Sequence, residues 1–573
     1  MNLETIRHST SHVLAAAVKR LYPKVKLGIG PAIEDGFYYD FGDLNIKEED
    51  LESIEKEMRK IIAKDEKFIQ KLISRKEAEK ILRNEPYKLD LLKDLDDDKI
   101  SFYYTGEFFD LCKGPHIKST KEIKAFKLTK LAGAYWRGDS ENDMLQRIYG
   151  IAFESEKELK EHLRLLEEAE KRNHIKLGKE LDLFVFSDVV GKGLPLLTPK
   201  GTIIKRILER FIEDEEIKRG YQYTETPVLA KSDLYKISGH LDHYRESMFV
   251  FEANGEEMVL RPMTCPHQFM IYKSKLRSYK DLPIRYAEIA DLFRNEQSGE
   301  LHGLIRIRQF SLADAHIICM PEQLEKEFED VLNLIKYVMK TLGFKNYWYR
   351  FSKWDPKNKK KYIDNPKAWD ISQKTMKKIL DKLKLEYIEA DDEAAFYGPK
   401  LDIQMKNVYG KEDTIFTVQI DFALPERFDM TYEGEDGRKH RPMIIHRSSI
   451  GCLERTMAML IEHYAGAFPL WLSPIQVRIM NLTDRNIKFC EKIAKELEKN
   501  GIRVETDYSK ETMNKKVRNA QLQKIPYMIT IGDKEEEKGT LAVRTRNGNV
   551  RFGIRPEDLI KEISEKVENK DAD

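Results

Sequence analysis

The length and composition of the chain exclude several classes of protein. It has 573 residues, too many for one ordinary hydrophobic core, and this length predicts roughly three to five domains. Hydrophobic residues make up 41%, enough for globular burial, while 99 basic residues nearly cancel 98 acidic ones. The net charge of +1 argues against a polybasic protein. It leaves nucleic-acid enzymes open, because local patches rather than totals bind phosphate.

The cysteines and the hydropathy pattern indicate a reducing compartment. The five cysteines are odd in number and widely spaced, so they do not form a disulfide framework. The first residues, MNLETIRHSTSHVL, contain no apolar signal core. No apolar run approaches the roughly 20 residues that span a bilayer. We therefore expect a soluble cytoplasmic protein with no membrane partner.

Residues 1–152 are predicted to form a first domain of amphipathic helices and short strands. Met1–Leu21 is predicted to be a helix, and Leu27–Phe41 two strands interrupted by Gly and Pro. Glu48–Leu82 has apolar residues at helical spacing and is predicted to be a charged helical stretch, with most of its Lys and Glu residues on a solvated face.

Three further segments follow along the chain. Residues 153–178 are predicted to be a linker, because Phe153–Leu177 is rich in Glu and Lys at helical spacing. Residues 179–471 are predicted to form a larger α/β region. In residues 472–573 the strand-like pieces QVRIMNL, GIRVETDY, YMITIGD and LAVRTR alternate with helical segments, which predicts a small mixed or parallel sheet.

Three separated motifs of the central region carry the chemistry. The first is a long helix that enters GYQYTETPVL, which contains Pro227; the others are LFRNEQSGELHGLIRIRQFSLADAH (Leu292–His316) and IGCLER (Ile450–Arg455). Arg294 offers a planar, always-charged fork that suits a phosphate and a carboxylate at once. Alternate residues of a strand share a face, so Arg306, Arg308 and Phe310 are expected to present charge and an aromatic ring together.

These motifs resemble those of class II aminoacyl-tRNA synthetases, in form and in order. The resemblance implies ATP binding by Arg294, Glu296, Arg306, Phe310 and Arg455. Phe310 then stacks on adenine, Glu296 reads the adenine edge or holds Mg²⁺-bound phosphates, and Arg455 reaches the γ-phosphate. Attack of a carboxylate on the α-phosphorus needs positioning and charge neutralisation, for which Arg294 and Arg455 are the catalytic candidates. RNE or LER alone would suit surface salt bridges equally well.

A cysteine and two histidines of the same region suggest a metal site. Cys265 of RPMTCPHQF, His316 of ADAHII and His446 of MIIHRSS would give a thiolate and two imidazoles, an open zinc set. They lie far apart in sequence, and a lone buried Cys or His usually fills a core. The threonyl-tRNA synthetase family, which the chain resembles here, has its zinc ligands in these contexts. The resemblance implies one Zn²⁺ per subunit; His267 is a rival ligand.

The same resemblance implies threonine as the amino acid. An apolar pocket barely separates threonine from valine, whereas a site that engages the hydroxyl penalises its absence heavily. By resemblance, the zinc ion holds the amino group and the hydroxyl, and Asp314 binds the ammonium group. Tyr397 and Lys400 of AAFYGPK and Gln419 of FTVQIDF match family active-site segments and are further candidates for substrate binding.

The N-terminal region carries a second candidate site, which a threonine enzyme needs because serine lacks only one methyl group. RHSTSH places His8 and His12 one helical turn apart, and DLCKGPH adds Cys112 and His116. These residues resemble the editing site of the family, where Ser-tRNA is hydrolysed. A tetrahedral zinc site or a structural cluster are the alternatives. We expect metal-independent hydrolysis, and the HxxxH spacing lacks the adjacent Glu of a metalloprotease.

The C-terminal region resembles the anticodon-binding domain shared by threonyl, prolyl, histidyl and glycyl enzymes. In GDKEEEKGTLAVRTR, Glu535 and Arg544 match family residues that read anticodon bases. A Glu accepts from base donors, and an Arg makes bidentate contacts to guanine. Both are also common surface residues, so an ordinary surface role stays open.

The resemblance implies an α+β multidomain protein. It comprises an N-terminal editing domain, a catalytic core with the antiparallel sheet of class II synthetases, and a C-terminal α/β anticodon-binding domain. Expected partners are tRNA(Thr), ATP with Mg²⁺, L-threonine and a second subunit in a homodimer, but not DNA. The leading TGS domain of most bacterial members is expected to be absent. An inactive synthetase-like protein and a prolyl or seryl synthetase are the alternatives. The retained arginines and zinc ligands disfavour the first, and the combined zinc and editing motifs disfavour the second.

Overall fold

The computed structural model of the chain describes residues 2–34, 36–139 and 141–571. It divides into two units, residues 1–167 and 168–573. Among the described residues no helix is both long and apolar enough to cross a bilayer.

The first unit contains two sheets and the helices that cover them. One sheet has the order β1-β3-β8-β7, with β2 paired to β3, and the other has the order β4-β5-β6. Helix α1 is capped by the Asn2 side chain, which accepts from the Glu4 backbone N–H, and its residues from Ser9 to Val18 are all buried. The elements are α1 Leu3–Leu21, β1 Lys26–Leu27, β2 Ala32–Ile33, β3 Gly36–Gly42, α2 Leu51–Ala63, β4 Phe68–Ser74, α3 Arg75–Leu82, α4 Pro86–Lys93, β5 Lys99–Thr105, β6 Phe108–Leu111, β7 Ala125–Tyr135 and β8 Met144–Phe153.

The predicted helical stretch Glu48–Leu82 is wrong in its middle. Helices α2 and α3 lie there, but Phe68–Ser74 between them forms strand β4, which pairs antiparallel with β5. This strand is mostly exposed, so its sequence FIQKLIS lacks the apolar alternation of a half-buried strand. Pairing with β5, rather than burial, determines its conformation.

The predicted linker helix Phe153–Leu177 is two helices, α5 Glu156–Arg172 and α6 His174–Glu180. The break falls at Asn173, whose side-chain oxygen accepts from the backbone N–H groups of Ile175 and Lys176 at 2.8 and 3.1 Å. An asparagine in this position ends one helix and caps the next, because its amide replaces a backbone acceptor. The boundary between the two units lies within α5.

The second unit is built on an eight-stranded sheet of order β11-β15-β16-β23-β20-β19-β17-β18. Only the outer pairs β11–β15 and β17–β18 are parallel, so the predicted antiparallel catalytic sheet is confirmed. Its elements after α6 are β9 Phe184–Val185, β10 Leu196–Leu197, α7 Pro199–Lys218, β11 Gln222–Tyr223, β12 Leu229–Lys231, α8 Ser232–Ser238, α9 His240–Tyr244, β13 Phe249–Ala253, β14 Glu256–Leu260, α10 Cys265–Lys273, β15 Ile284–Phe293, β16 Gln309–Cys319, α11 Leu324–Thr341, β17 Tyr347–Ser352, α12 Pro366–Lys382, β18 Tyr387–Ala390, β19 Lys400–Lys406, β20 Glu412–Asp421, α13 Leu424–Arg427, β21 Tyr432–Glu433, β22 Lys439–His440, β23 Met443–Cys452 and α14 Leu453–His463.

Residues of β16 alternate between two buried faces of this sheet. Ala313, Ala315 and Ile317 pack in one core with residues of α7, α11 and α14. Successive strand residues point to opposite faces, so Asp314 and His316 point away from that core. One face therefore anchors the sheet, and the other is free to carry polar chemistry.

The C-terminal part of the second unit forms a separate mixed sheet of order β25-β24-β26-β27-β28. The pairs β24–β25 and β24–β26 are parallel, whereas β26–β27 and β27–β28 are antiparallel. The four strands predicted from the sequence are all present. The elements are β24 Val477–Asn481, α15 Ile487–Lys499, β25 Val504–Asp507, α16 Met513–Leu522, β26 Tyr527–Ile531, α17 Asp533–Lys538, β27 Leu541–Thr545, β28 Val550–Ile554 and α18 Pro556–Asn569.

A buried ion pair joins helix α7 to strand β23 and gives a test of the fold. Arg447 Nη1 lies 2.7 Å from Glu216 Oε1, and neither side chain is more than 1% exposed. Replacing Glu216 by alanine leaves the guanidinium uncompensated, so we expect the free energy of unfolding of the second unit to fall by about 3–5 kcal/mol. The exposed pair Lys374–Asp370 is the control: Asp370→Ala should cost less than about 0.5 kcal/mol. Equal effects in denaturant titrations would contradict the prediction.

Candidate functional site

The register of three neighbouring strands brings distant residues together. His316 of β16 lies directly opposite His446 of β23, and Gln419 of β20 lies opposite His446 on its other side. Cys265 is the first residue of α10. The ligand atoms of Cys265, His316 and His446 all lie within 4.8 Å of one another, and all three residues are buried.

Each of the two histidines is oriented by a hydrogen bond from the ring nitrogen that faces away from the cluster. His316 Nδ1 lies 2.6 Å from Gln268 Oε1, which can only accept, so Nδ1 carries the proton and Nε2 keeps its lone pair. The Gln268 amide nitrogen in turn donates to Thr224 Oγ1 at 2.8 Å. His446 Nε2 lies 2.8 Å from Asp421 Oδ2. Such partners are typical of metal-ligating histidines.

The residues fit a divalent cation. Burial raises the pKa of the Cys265 thiol well above its usual range, and raises the pKa of Asp314 to about 6. A bound cation reverses this cost for the thiol, because a thiolate and two imidazoles are preferred zinc ligands and three protein ligands leave a position open. The rival residue His267 belongs to neither ligand cluster found among the described residues.

The motif arginines line the same cleft as this cluster. Arg294, Arg306 and Arg455 line it, as do Glu296 and Phe310. The Arg294 guanidinium lies 5.1 Å from the centre of the Phe310 ring, within range of a cation–π contact. Burial lowers the pKa of Arg294 from its usual value, yet an arginine stays charged at neutral pH.

Backbone and side-chain contacts hold the other two arginines. Arg306 pairs with Glu296 at 2.7 Å and with Glu300 at 3.2 Å. Arg455 donates through Nε to the backbone oxygen of Ile305 at 3.0 Å, and through Nη1 to that of Thr414 at 2.8 Å. The cleft therefore carries fixed positive charge at one end and the Cys–His–His cluster at the other.

The expectation that Arg306, Arg308 and Phe310 share a strand face is wrong, because only Phe310 lies on the strand. Strand β16 begins at Gln309, so the two arginines belong to the preceding loop. Arg308 Nε donates to the backbone oxygen of Glu296 at 3.1 Å, and Arg308 is not part of the cleft lining. The loop turns before the strand begins, and the alternation of strand faces does not extend into it.

Three of the four predicted substrate-binding residues line the cleft. These are Asp314, Tyr397 and Gln419. The Tyr397 ring stacks on His446 with centroids 4.8 Å apart, and its hydroxyl donates to Gln419 Oε1. Lys400 lies opposite Gln419 on β19, but its ammonium pairs with the buried Asp402 at 3.1 Å and it is absent from the cleft lining that is described.

Sequence reasoning missed Gln268 and Asp421. Gln268 follows Cys265 by three residues on α10, a spacing that shares a helix face, so this signal was present. Asp421 accepts from the backbone N–H groups of Ala423 and Leu424 as well as from His446. It caps a turn and orients a ligand at once, and no local pattern distinguishes that double role from capping alone.

The first unit contains the second cluster. Cys112 Sγ lies 3.3 Å from His8 Nε2 and 3.2 Å from His116 Nε2. His8 Nδ1 lies 3.2 Å from the backbone oxygen of Pro115, and His116 Nδ1 lies 3.0 Å from Ser9 Oγ. The Ser9 hydroxyl donates to the Thr5 backbone oxygen, so it accepts from His116. Both imidazoles therefore turn an unprotonated Nε2 towards the sulfur.

Burial keeps this second cluster uncharged at neutral pH. It lowers the pKa of His116 to about 2 and that of His8 below its usual value, and it raises the pKa of Cys112 to about 11. His12 lies beside the cluster, with its ring 5.0 Å from that of His116, and burial lowers its pKa to about 3. The structure thus brings the four predicted residues together as neutral proton donors and acceptors, three of them as possible metal ligands.

The two predicted base-reading residues lie on successive elements of the C-terminal sheet. Glu535 is in the first turn of α17, where its carboxylate accepts from the Gly532 backbone N–H at 3.0 Å. Arg544 lies near the end of β27, opposite Met528, and donates to the Gly548 backbone oxygen at 3.2 Å. Glu535 therefore precedes β27 in the chain, whereas Arg544 lies on the strand itself.

Three family models match consecutive parts of the chain. Residues 100–149 match the second additional domain of threonyl and alanyl tRNA synthetases. Residues 246–464 match the class II synthetase core domain of the G, H, P, S and T enzymes, and residues 476–566 match an anticodon-binding domain. These matches contain Cys112 and His116 of the first unit's cluster, the cleft, and the C-terminal sheet in turn.

Individual relatives agree with these models. A threonyl-tRNA synthetase RNA-binding domain from Cryptosporidium parvum superposes with a TM-score of 0.65 at 34% identity, covering 69% of this chain and 98% of that one. A prolyl-tRNA synthetase from the same organism shares the fold, with a TM-score of 0.55 at 15% identity over 69% of this chain and 77% of that one. The threonine–tRNA ligase of Halalkalibacterium halodurans is 52% identical over 95% of this chain and 85% of its own length. The corresponding ligase of Clostridium botulinum is 56% identical over 98% of this chain and 89% of its own length, and the chain therefore belongs to the threonine–tRNA ligase family.

Proposed function

We propose that the chain activates L-threonine with ATP, transfers it to the 3′ end of tRNA(Thr), and hydrolyses Ser-tRNA(Thr) formed in error. The observation that carries this proposal is the convergence of Cys265, His316 and His446 in one cleft with Arg294 and Arg455. Membership of the ligase family supports it. We assign residues 1–152 to editing, 153–178 to a linker, 179–471 to aminoacylation and 472–573 to anticodon binding.

Threonine is selected at the Cys–His–His end of the cleft. Zn²⁺ held by Cys265, His316 and His446 would supply a Lewis acid for the amino group and the hydroxyl of the substrate. Asp314 is buried on the same sheet face and accepts a hydrogen bond from the amino group, while Tyr397 and Gln419 close the pocket around the side chain. Valine offers no hydroxyl, so it leaves this polar site unsatisfied and is rejected.

ATP occupies the arginine end. Arg294 neutralises the α-phosphate and aligns the threonine carboxylate for attack, and Arg306 and Arg455 hold the outer phosphates with Mg²⁺. The Phe310 ring stacks on adenine, and Glu296 reads its edge or holds Mg²⁺-bound phosphate. Lys400, which the structure pairs with Asp402, has at most an indirect effect on the substrate through its neighbour Gln419.

The cluster of His8, His12, Cys112 and His116 removes serine. Because burial keeps these side chains neutral, they position a water molecule and the terminal hydroxyls of the tRNA by hydrogen bonds. The unprotonated His8 Nε2 accepts a proton from that water and returns it to the leaving ribose oxygen. The sulfur of Cys112 and the ring nitrogens of His8 and His116 are also close enough to bind one metal ion, and a zinc site is the alternative interpretation of this cluster.

The remaining assignments concern partners. Glu535 and Arg544 read bases of the anticodon on the C-terminal sheet. A second copy of the chain completes a homodimer through the region of helix α7 and Pro227, where Val228 and Leu229 are exposed apolar residues. The protein works in the cytoplasm with tRNA, ATP and threonine.

Replacing Cys265 by serine tests the zinc proposal. A hydroxyl is a poor zinc ligand, so bound zinc should fall below about 0.2 per chain and threonine-dependent ATP–pyrophosphate exchange should fall by about 100-fold or more. Zinc is measured by mass spectrometry on dialysed protein. Cys490→Ala, which alters a buried cysteine on helix α15, is the control and should keep both values. Full zinc content in Cys265→Ser would refute the ligand assignment.

Replacing His8 by alanine tests the editing proposal. Loss of one proton-transfer group should slow hydrolysis of preformed Ser-tRNA(Thr) by about 100-fold or more, so mischarged tRNA accumulates. The matched control is His162→Ala, which alters a histidine of the same unit outside the cluster. If His8→Ala clears Ser-tRNA as fast as the unmodified protein, the editing role of this cluster is wrong.

Replacing Arg544 by alanine tests base reading. One good bidentate contact is worth about 1–3 kcal/mol, so the KM for tRNA(Thr) should rise about tenfold in aminoacylation assays. The rise should disappear when the anticodon base that Arg544 reads is substituted, since the contact is then already lost. Arg555→Ala, an exposed arginine paired with Asp558, serves as the control. If neither Arg544→Ala nor the base substitution changes the KM for tRNA(Thr), Arg544 does not read the anticodon and is an ordinary surface residue.

A further inference from the structure

His174 is a buried residue of the second unit to which the proposed function gives no role. Its side chain is 0% exposed and it is the first residue of α6. Asn173 caps this helix by accepting from the N–H groups of Ile175 and Lys176. The cap fixes where the helix begins, and so places the His174 backbone at its first position.

Both ring nitrogens of His174 are engaged by the protein. Nε2 lies 3.1 Å from the backbone nitrogen of Leu304, and since that N–H can only donate, Nε2 is the acceptor. Nδ1 therefore carries the proton and donates to Glu462 Oε1 at 2.7 Å. The other Glu462 oxygen accepts from the Val408 backbone N–H at 3.3 Å. These hydrogen bonds define the partner of each ring nitrogen and the tautomer of the ring.

The loop that His174 contacts fits closely against the ring. Gly303 has a φ of +47°, and a Cβ there would lie 2.0 Å from His174 Nε2. Only glycine fits such an approach without displacing the imidazole. The Leu304 side chain is 0% exposed and packs in the main core of the second unit, so the loop is anchored at this point.

The far side of the same loop forms one wall of the nucleotide end of the cleft. Ile305 and Arg306 line the cleft, and the Ile305 backbone oxygen accepts from Arg455 Nε at 3.0 Å. Residues 303–306 are therefore held by His174 on one side and by Arg455 on the other. Glu462 belongs to helix α14, which also carries Arg455. His174 thus connects the loop of residues 303–306 to helix α14, the helix whose Arg455 contacts the other side of that loop.

We propose that His174, held by Glu462, is a positioning residue for ATP: it fixes the backbone of residues 303–306 so that Ile305 and Arg306 meet the nucleotide in one conformation. It touches neither substrate nor reacting atoms. The inference rests on the proposed function in one respect, namely that this end of the cleft binds ATP. Threonine binds at the other end, so a loss of this contact should act on one substrate only.

The main experiment replaces His174 by phenylalanine, which keeps a ring but removes both hydrogen bonds. The Leu304 N–H and the Glu462 carboxylate then lose their partner in a buried place. We expect the KM for ATP in the exchange assay to rise about tenfold, as for an unsatisfied buried donor. The KM for threonine should change less than about twofold. Rates are normalised to the folded fraction measured by circular dichroism.

Two further variants separate positioning from stability. His174→Gln again offers one donor and one acceptor, so it should recover most of the affinity for ATP. Glu462→Gln changes one atom: its amide must place a donor against either His174 Nδ1–H or the Val408 N–H, so the KM for ATP should rise here too. Glu462→Gln also serves if His174→Phe does not fold. His440→Phe, which removes an exposed histidine paired with Asp436, is the control.

Equal changes in both KM values, or a loss of activity that follows the folded fraction alone, would overturn the positioning role. So would a failure of His174→Gln to recover ATP affinity beyond that of His174→Phe. The unmodified protein gives an independent check of the proposed function, because absence of threonine-dependent exchange there would reject the function itself. Hydrolysis of preformed Ser-tRNA, assigned to the first unit, should stay within about twofold in His174→Phe.

Discussion

The ladder between β16 and β23 is the constraint on which the candidate active site depends. It places His316 directly opposite His446, and it does so because the other face of β16 is filled by Ala313, Ala315 and Ile317. A slip of one residue would turn the histidine towards that core and the isoleucine towards the cleft. Packing behind the sheet therefore specifies the meeting point of two residues that are 130 positions apart.

Burial sets the electrostatics of this site. In a buried cluster a thiolate is stabilised by a bound cation, and a cation that engages a hydroxyl separates threonine from valine. Such a cation does not separate threonine from serine, which keeps the hydroxyl, so a second site is needed. In the first unit, burial acts in the same direction on a similar set of side chains: it raises the pKa of the Cys112 thiol and lowers the pKa of His116, as it does for Cys265 and His316. The surroundings differ, because the Cys265 cluster shares its cleft with Arg294 and Arg455, and this suits the two clusters to different tasks.

The sequence predicts site residues where their motifs resemble those of a family, and it fails where tertiary geometry decides. Cys265, His316 and Arg294 are predicted from such motifs, and all three line one cleft in the structure. Strand β4 was missed because it is an exposed strand held by pairing with β5, which leaves little hydrophobic periodicity.

Other differences have the same origin. Arg308 is predicted on a strand face because the start of β16 cannot be read from charge spacing. Lys400 is predicted to bind substrate, but its ammonium pairs with Asp402, since a register neighbour of Gln419 need not point into the cleft. The break at Asn173 is a further case. Asparagine can cap a helix, but the sequence predicts one helix from Phe153 to Leu177 where the structure has α5 and α6.

Hydrogen bonding divides the histidines of the chain into groups that burial alone does not separate. In His316 and His446 the protein engages one ring nitrogen outside the cluster, and the other is directed to a shared point, as a ligand requires. In His174 both nitrogens are engaged by fixed partners, so the ring can transmit position but cannot bind a ligand. His267 joins neither cluster. A ligand therefore needs a ring nitrogen that the fold leaves free and directs to a shared point, whereas a ring with both nitrogens engaged can only position its neighbours.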